Sequence, residues 1–289
     1  MRILANGVWI EVDDTGRGEP LLLLMGLGMQ LVSWPEELVS DLVWMGFRVI
    51  RIDNRDSGLS DGFDHLGRPR LFAATIRYLL GMRIAAPYSL ADMARDAFGV
   101  LDKLGLDRVH VCGASMGGMI AQHMAVQQPA RLKRLTLMMT TSGSRSLPQP
   151  SVRVRTALLG RPANPHNSES IVTYLERLFA LIGSPDYHTD PVLLRQRLRA
   201  LVARAWRPAG VARQLIAVAA DGDRTPMLGK ITAPTHILHG SADPLVPVAA
   251  ARQLQRKIRG SSLEIIDGWG HDLPVPLLPR LAQAIARHT

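Results

Sequence analysis

Ser115 lies in Gly113-Ala114-Ser115-Met116-Gly117, between a short apolar run, Val109 to Cys112, and a segment from Met116 to Gln127 whose apolar spacing suits a helix. A serine on a tight strand-to-helix turn projects its hydroxyl clear of its neighbours, and beside a base it becomes a nucleophile for acyl transfer. The small flanking residues belong to that geometry, because a strained turn leaves no room for side chains. A glycine-rich turn that merely contains a serine has the same five residues, so a base and an acid must be found elsewhere. Asp243 lies in Gly240-Ser241-Ala242-Asp243-Pro244, just after the apolar run Thr235 to His239. His271 lies in Asp267-Gly268-Trp269-Gly270-His271-Asp272, just after Leu263 to Ile266. If the three runs are parallel strands of one sheet, their carboxyl ends share an edge, and Ser115, Asp243 and His271 converge from distant points in the chain.

Such a sheet requires strands alternating with helices. Val8 to Val12 alternates in polarity, Asp14 to Gly18 has turn chemistry, and Leu21 to Met25 is continuously apolar, a pattern that predicts an entering hairpin followed by a buried strand. Pro35 to Met45 reads as a helix stopped by Gly46, and Arg48 to Ile52 as the next strand. The loop Asp53-Asn54-Arg55-Asp56-Ser57-Gly58-Leu59-Ser60 reads as scaffolding, since Asp and Arg at a strand end hydrogen-bond local backbone. Residues 63–87 form an insertion holding a helical pattern from Leu71 to Met82. It can line a pocket, touch lipid or pack as an ordinary amphipathic helix, and the last is the expectation. Ser89 is the expected N-cap of a helix from Leu90 to Leu104, closed by Gly105, and Leu135 to Met139 is a further strand. The rhythm implies a mostly parallel sheet covered by helices on both faces.

Beyond Thr140 the alternation stops. Residues 143–165 are rich in Ser, Pro and Arg, and helical patterns from Ser170 to Ile182 and from Pro191 to Ala220 follow without an intervening strand. Residues 143–229 are therefore expected to form a helical lid inserted into a core of residues 1–142 and 230–289. A helix from Val246 to Ile258 and a closing helix from Pro276 to His288 complete the pattern.

Composition limits the function classes. At 289 residues and 47% hydrophobic the chain can bury a full core. One cysteine, Cys112, excludes an internal disulfide, and the absence of a secretory pattern at the start points to the cytoplasm. No apolar run reaches the ~18 residues of a membrane span, so no stable membrane insertion is expected. The net charge of +9 comes mostly from arginines, only four of the 34 basic residues being lysine, scattered without interleaved aromatics. That is not a nucleic-acid footprint. Between Arg145 and Lys230 there are 13 basic and 6 acidic residues, yet Arg195, Arg197, Arg199 and Arg204 spread around a helix and read as a solvated face. His236 and His239, three apart in a strand, point to opposite faces, which argues against a shared metal, and no metal or cofactor is expected.

On Gly113 to Gly117, Asp53-Asn54-Arg55, His239-Gly240-Ser241-Ala242-Asp243-Pro244-Leu245-Val246-Pro247 and Gly270-His271, the chain resembles the α/β-hydrolase superfamily over nearly its full length. Within it, the lid after the sixth strand and the Met25-Gly26 entrance are similar to bacterial esterases of the aclacinomycin methylesterase kind. The resemblance implies an α/β fold with a mostly parallel eight-stranded sheet. It also implies an oxyanion hole made by the backbone N–H groups of Met116 and Leu27. Many relatives carry His-Gly where this chain has Met25-Gly26, a departure that leaves a backbone donor intact.

In this reading Ser115 is nucleophile, His271 general base and Asp243 its orienting acid. Asp221 and Asp223 stand near the lid exit, and Asp267 and Asp272 flank His271 too closely to take the acid's place. Gly26, Trp34 and Trp269 are substrate-contact candidates, with core packing the rival role for each tryptophan. Cys112 reads as a small buried residue behind the turn. The expected partner is a small-molecule carboxylic ester with a mainly apolar part, and a homodimer stays open. Cofactor-free perhydrolysis or haloperoxidation, lactone opening and C–C hydrolysis use the same three residues. A non-catalytic binding protein of the same fold is the rival from another class.

Overall fold

The computed structural model describes residues 1–67 and 69–287. Its strands are β1 (Arg2–Ala5), β2 (Val8–Gly16), β3 (Glu19–Leu24), β4 (Phe47–Ile52), β5 (Val109–Ala114), β6 (Leu132–Met138), β7 (Thr235–Gly240) and β8 (Ser262–Ile266). They form one eight-stranded sheet in the order β1-β2-β4-β3-β5-β6-β7-β8. Pairing is antiparallel at β1/β2 and β2/β4 and parallel from β4 to β8. The chain is thus an α/β protein.

The central strands are apolar on both faces because both are covered. Leu22 and Leu24 of β3 enter one core with α3 (Leu90–Lys103) and α4 (Met116–Gln127); Leu21 and Leu23 enter the other with α1 (Glu36–Trp44) and α11 (Leu278–Arg287). Side chains alternating across a pleated strand require this division, and it explains why Leu21 to Leu24 shows no polar position. The start of α3 is set by a reciprocal cap. Asp92 N–H donates to Ser89 Oγ, and Ser89 N–H donates to Asp92 Oδ2.

The remaining helices are α2 (Leu71–Leu79), α5 (Val152–Leu158), α6 (Ser168–Ile182), α7 (Pro191–Arg204), α8 (Pro208–Asp221), α9 (Thr225–Leu228) and α10 (Ala249–Lys257). Five of them, α5 to α9, lie between β6 and β7. Ile171, Val172 and Leu175 of α6 pack on Leu198, Leu201 and Val202 of α7, a small core separate from the two that flank the sheet.

Three expectations need correction. The entering hairpin is β1/β2, turning at Asn6-Gly7, where both residues have positive φ; β2 continues through Gly16 and pairs with β4. The pattern from Pro191 to Ala220 is two helices, because Pro208 removes a donor and occupies the first position of α8. Finally, α2 lines a pocket: Leu71, Ala74 and Tyr78 are half-buried on the cavity, while its large apolar Phe72 and Leu79 face outward, the reverse of an ordinary amphipathic helix. The closing helix runs from Leu278 to Arg287, and the expected last residue, His288, lies outside the described residues.

Candidate active site

Ser115 stands between β5 and α4 with φ 54° and ψ −118°. For a residue with a side chain this is a strained conformation, costing about 1–3 kcal/mol, and it persists only where the surroundings over-determine it. They do so here. Ser115 N–H donates to Met138 O at 3.0 Å, and Thr140 Oγ1 donates to Ser115 O at 2.6 Å. A Cβ on Gly113 would stand 2.4 Å from Gly117 O, and one on Gly117 would stand 2.0 Å from Leu24 O. Both glycines are therefore demanded by close backbone approach.

The carboxyl ends of β5, β7 and β8 bring three side chains into line. His271 Nε2 is 3.0 Å from Ser115 Oγ, and His271 Nδ1 is 2.7 Å from Asp243 Oδ2. The other carboxylate oxygen of Asp243 accepts from the N–H groups of Leu245 and Val246 at 2.8 and 2.7 Å, which fixes the carboxylate plane. Asp243 and His271 are buried, and Ser115 is half-buried at the floor of a cavity. Behind them His239, fully buried, is 2.8 Å from Val246 O through Nε2. Burial holds its pKa below the usual imidazole value despite Asp243 nearby.

The backbone N–H groups of Leu27 and Met116 border the same cavity, and neither has a hydrogen-bond partner among the described residues. Met116 is the first residue of α4, where the helix dipole adds to its donor strength. Gly26 lies beside Ser115, since a Cβ there would be 3.2 Å from Ser115 Cβ. The neighbouring loop is held by Asn54, whose Nδ2 donates to Met25 O at 3.0 Å, and by Gln214, whose Oε1 accepts from Gly28 N–H at 2.8 Å.

Neither tryptophan offered as a substrate contact reaches the cavity. Trp34 and Trp269 are both fully buried, packed in the core with α1 and α11. Trp269 instead donates from Nε1 to Asp272 O at 2.8 Å and steadies the loop that carries His271. The competing acids are engaged elsewhere. Asp221 pairs with His123 and Arg224, Asp267 accepts from Ser241 Oγ, and Asp272 accepts from Ser184 Oγ at 2.5 Å. Burial raises the Asp272 carboxyl above its ordinary range. Cys112 is buried beside Met138, and burial raises its thiol pKa. No cluster of three metal-ligating side chains occurs among the described residues.

Two supports escaped the sequence reading. Ser184 Oγ also accepts from Gly270 N–H at 2.9 Å, and His271 N–H donates to Ile182 O at 2.7 Å, so the end of α6 grips the histidine loop. On the opposite side Arg213 of α8, buried, makes a two-pronged bond to Asp56 at 2.8 and 2.7 Å and reaches Asp64 and Gly67 O. The loop after β4 is thus scaffolding, as its residue types imply. Asp53 accepts from Leu31 and Leu59 N–H and from Arg204, and Arg55 pairs with Asp96. The α7 arginines are not simply solvated, since Arg195 and Arg199 share Glu169 and Arg197 meets Glu37.

The cavity has a volume of about 1340 Å³. Its floor holds Met25, Met29, Met116, Met119 and Met139, flexible side chains that adapt to irregular apolar shapes. Leu178, Leu194 and Leu198 line it from between β6 and β7, and Leu71, Ala74 and Tyr78 from α2.

The model of the alpha/beta hydrolase fold family matches residues 19–275. The chain belongs to that family. Rhodomycin D methylesterase DnrP of Streptomyces peucetius is 29% identical, over 98% of this chain and 94% of the relative. The 2-hydroxy-6-oxononadienedioate/2-hydroxy-6-oxononatrienedioate hydrolase of Klebsiella pneumoniae subsp. pneumoniae is 28% identical, over 91% and 84%. Among solved structures, the esterase EaEST from Exiguobacterium antarcticum superposes with a TM-score of 0.77 at 24% identity, over 99% of this chain and 98% of that one. The last likeness concerns the fold.

Proposed function

We propose that this α/β hydrolase is a serine esterase that cleaves carboxylic esters with a large apolar part through an acyl-enzyme on Ser115. The observation that carries the reading is the hydrogen-bonded chain from Ser115 Oγ through His271 to Asp243 at the floor of an apolar cavity. His271 Nε2 removes the hydroxyl proton as Ser115 Oγ attacks the acyl carbon, and Asp243 stabilises the imidazolium that results. The carbonyl oxygen becomes an oxyanion facing the Leu27 and Met116 N–H groups. Collapse expels the alcohol, which takes the proton from His271. Water then enters by the same route in reverse roles, releases the acid and restores Ser115. Helices α5 to α9 serve as a cap that walls the cavity. Likeness to a methylesterase over nearly the whole chain supports ester chemistry.

Ser115→Ala lowers turnover of a short p-nitrophenyl ester by on the order of 10⁴-fold or more while circular dichroism stays native. A fluorophosphonate label on the parent protein maps to Ser115. Full activity in the variant rules the mechanism out, and a folded parent that resists labelling favours a binding protein. The Klebsiella relative makes C–C hydrolysis the second reading. A 2-hydroxy-6-oxo-dienoate assayed beside the ester panel separates the two.

A further inference from the structure

Helix α2 divides into faces of different chemistry. At about 100° per residue, Phe72, Ile76, Leu79 and Leu80 fall within roughly a third of the circumference. They are 80%, 42%, 70% and 68% exposed. Leu71, Ala74 and Tyr78, on the other side, line the cavity above Ser115. A stripe of four large apolar side chains left open to water marks a surface that something covers.

The charge around the stripe says what covers it. Residues 65–91 and 143–168 contain no Asp or Glu. Arg70, Arg77, Arg83, Arg145, Arg153 and Arg155 are exposed, and among the described residues none has a carboxylate within salt-bridge distance. On α7, by contrast, Arg195, Arg197 and Arg199 are each paired with glutamate. The two acid-free segments rim one cavity and touch, the Arg145 guanidinium lying 4.6 Å from the centre of the Tyr78 ring. An apolar stripe bordered by cations without carboxylate partners is complementary to a surface that is anionic outside and apolar just beneath. No helix among the described residues is long and apolar enough to cross a membrane, which suits a helix lying along an interface.

We infer that this rim is a docking surface for an anionic lipid bilayer. Phe72, Ile76, Leu79 and Leu80 enter the boundary between headgroups and acyl chains, and the arginines meet lipid phosphates. Since the inner side of α2 lines the cavity, docking sets the cavity mouth on the bilayer. Resting on the esterase reading, this makes the substrate class an amphiphilic ester drawn from lipid rather than from water. Docking itself does not require catalysis.

The test is co-sedimentation of the full chain with vesicles of phosphatidylcholine alone and of phosphatidylcholine mixed with phosphatidylglycerol. The protein partitions onto the mixed vesicles, and added salt releases it. Arg77→Gln and Arg83→Gln each weaken partitioning by about fivefold. Phe72→Ser combined with Leu79→Ser weakens it by on the order of tenfold or more. Hydrolysis of a short soluble p-nitrophenyl ester is unchanged in all of them, which also reports that each is folded; if the double variant fails that check, the arginine variants decide. Absence of partitioning onto mixed vesicles overturns the inference, as does partitioning that ignores these substitutions. A concentration-dependent dimer dissolved by the Phe72/Leu79 change also overturns it, assigning the stripe to a second copy. Were the esterase reading to fail instead, the ester assay would be silent while vesicle binding persisted.

Discussion

The cavity has two unlike walls. Along α8 the wall is bolted to the sheet by buried polar bonds, Arg213 to Asp56 and Gln214 to Gly28 and Arg55. Along α2 it has no buried residue and presents a row of large apolar side chains to the outside. The first arrangement holds the Gly26-Leu27 loop against Ser115. The second leaves the mouth dependent on what lies next to it. Buried polar bonds brace the wall beside Ser115, and an exposed apolar row marks the wall along α2.

Arg213→Ala tests the rigid wall and carries the largest expected effect. It leaves Asp56 buried without its guanidinium, and the loss in stability is about 3–5 kcal/mol, read from denaturant unfolding. The same pair sets a pH dependence. Burial alone would raise the Asp56 carboxyl, but Arg213, with the Phe63 amide and Tyr88 hydroxyl, holds it below the ordinary range. A depressed folded pKa gives stability that is full above the unfolded carboxylate value and lost as pH falls through the folded value. In Arg213→Ala the folded pKa rises toward or past the unfolded value, so the acid-driven loss from this group shrinks and the variant's deficit against the parent narrows as pH falls.

Ser184→Ala is intermediate. Removing the hydroxyl that ties Gly270 N–H to Asp272 loosens the histidine loop. Expected are a kcat about tenfold lower with KM nearly unchanged, because the loop positions His271, the base of the proposed mechanism, without building the cavity's apolar walls. A parallel change in KM with kcat intact would move Ser184 from positioning to substrate binding. Phe72→Ser, on the open wall, changes stability by no more than about 0.5 kcal/mol. A larger loss would mean that α2 is fastened in a way its exposure conceals, and the contrast between the walls would narrow.

Legibility in sequence followed the same division. Strands buried on both faces, such as Leu21 to Leu24, announce themselves as unbroken apolar runs, and their ends placed Ser115, Asp243 and His271 in register. β1 escaped because a short edge strand with only Ala5 buried has almost no apolar signal. Trp34 and Trp269 could not be assigned because a large aromatic has the same letter in a core as in a pocket. The Arg213–Asp56 bond spans 157 residues, and no local pattern marks Arg213, among thirty arginines, as one of the few that are buried. The exposure of α2 was equally hidden, since a helix with an apolar side reads the same whether or not anything covers it.

The Arg213–Asp56 bond also ties two stretches into one unit of inheritance. If helices α5 to α9 are exchanged for helices without an arginine at this place, and the loop after β4 is not carried with them, Asp56 stays buried without its counterpart. Recombination that respects only the β6 and β7 boundaries cuts through this bond. A chimera that moves residues 53–67 together with the helices keeps it whole.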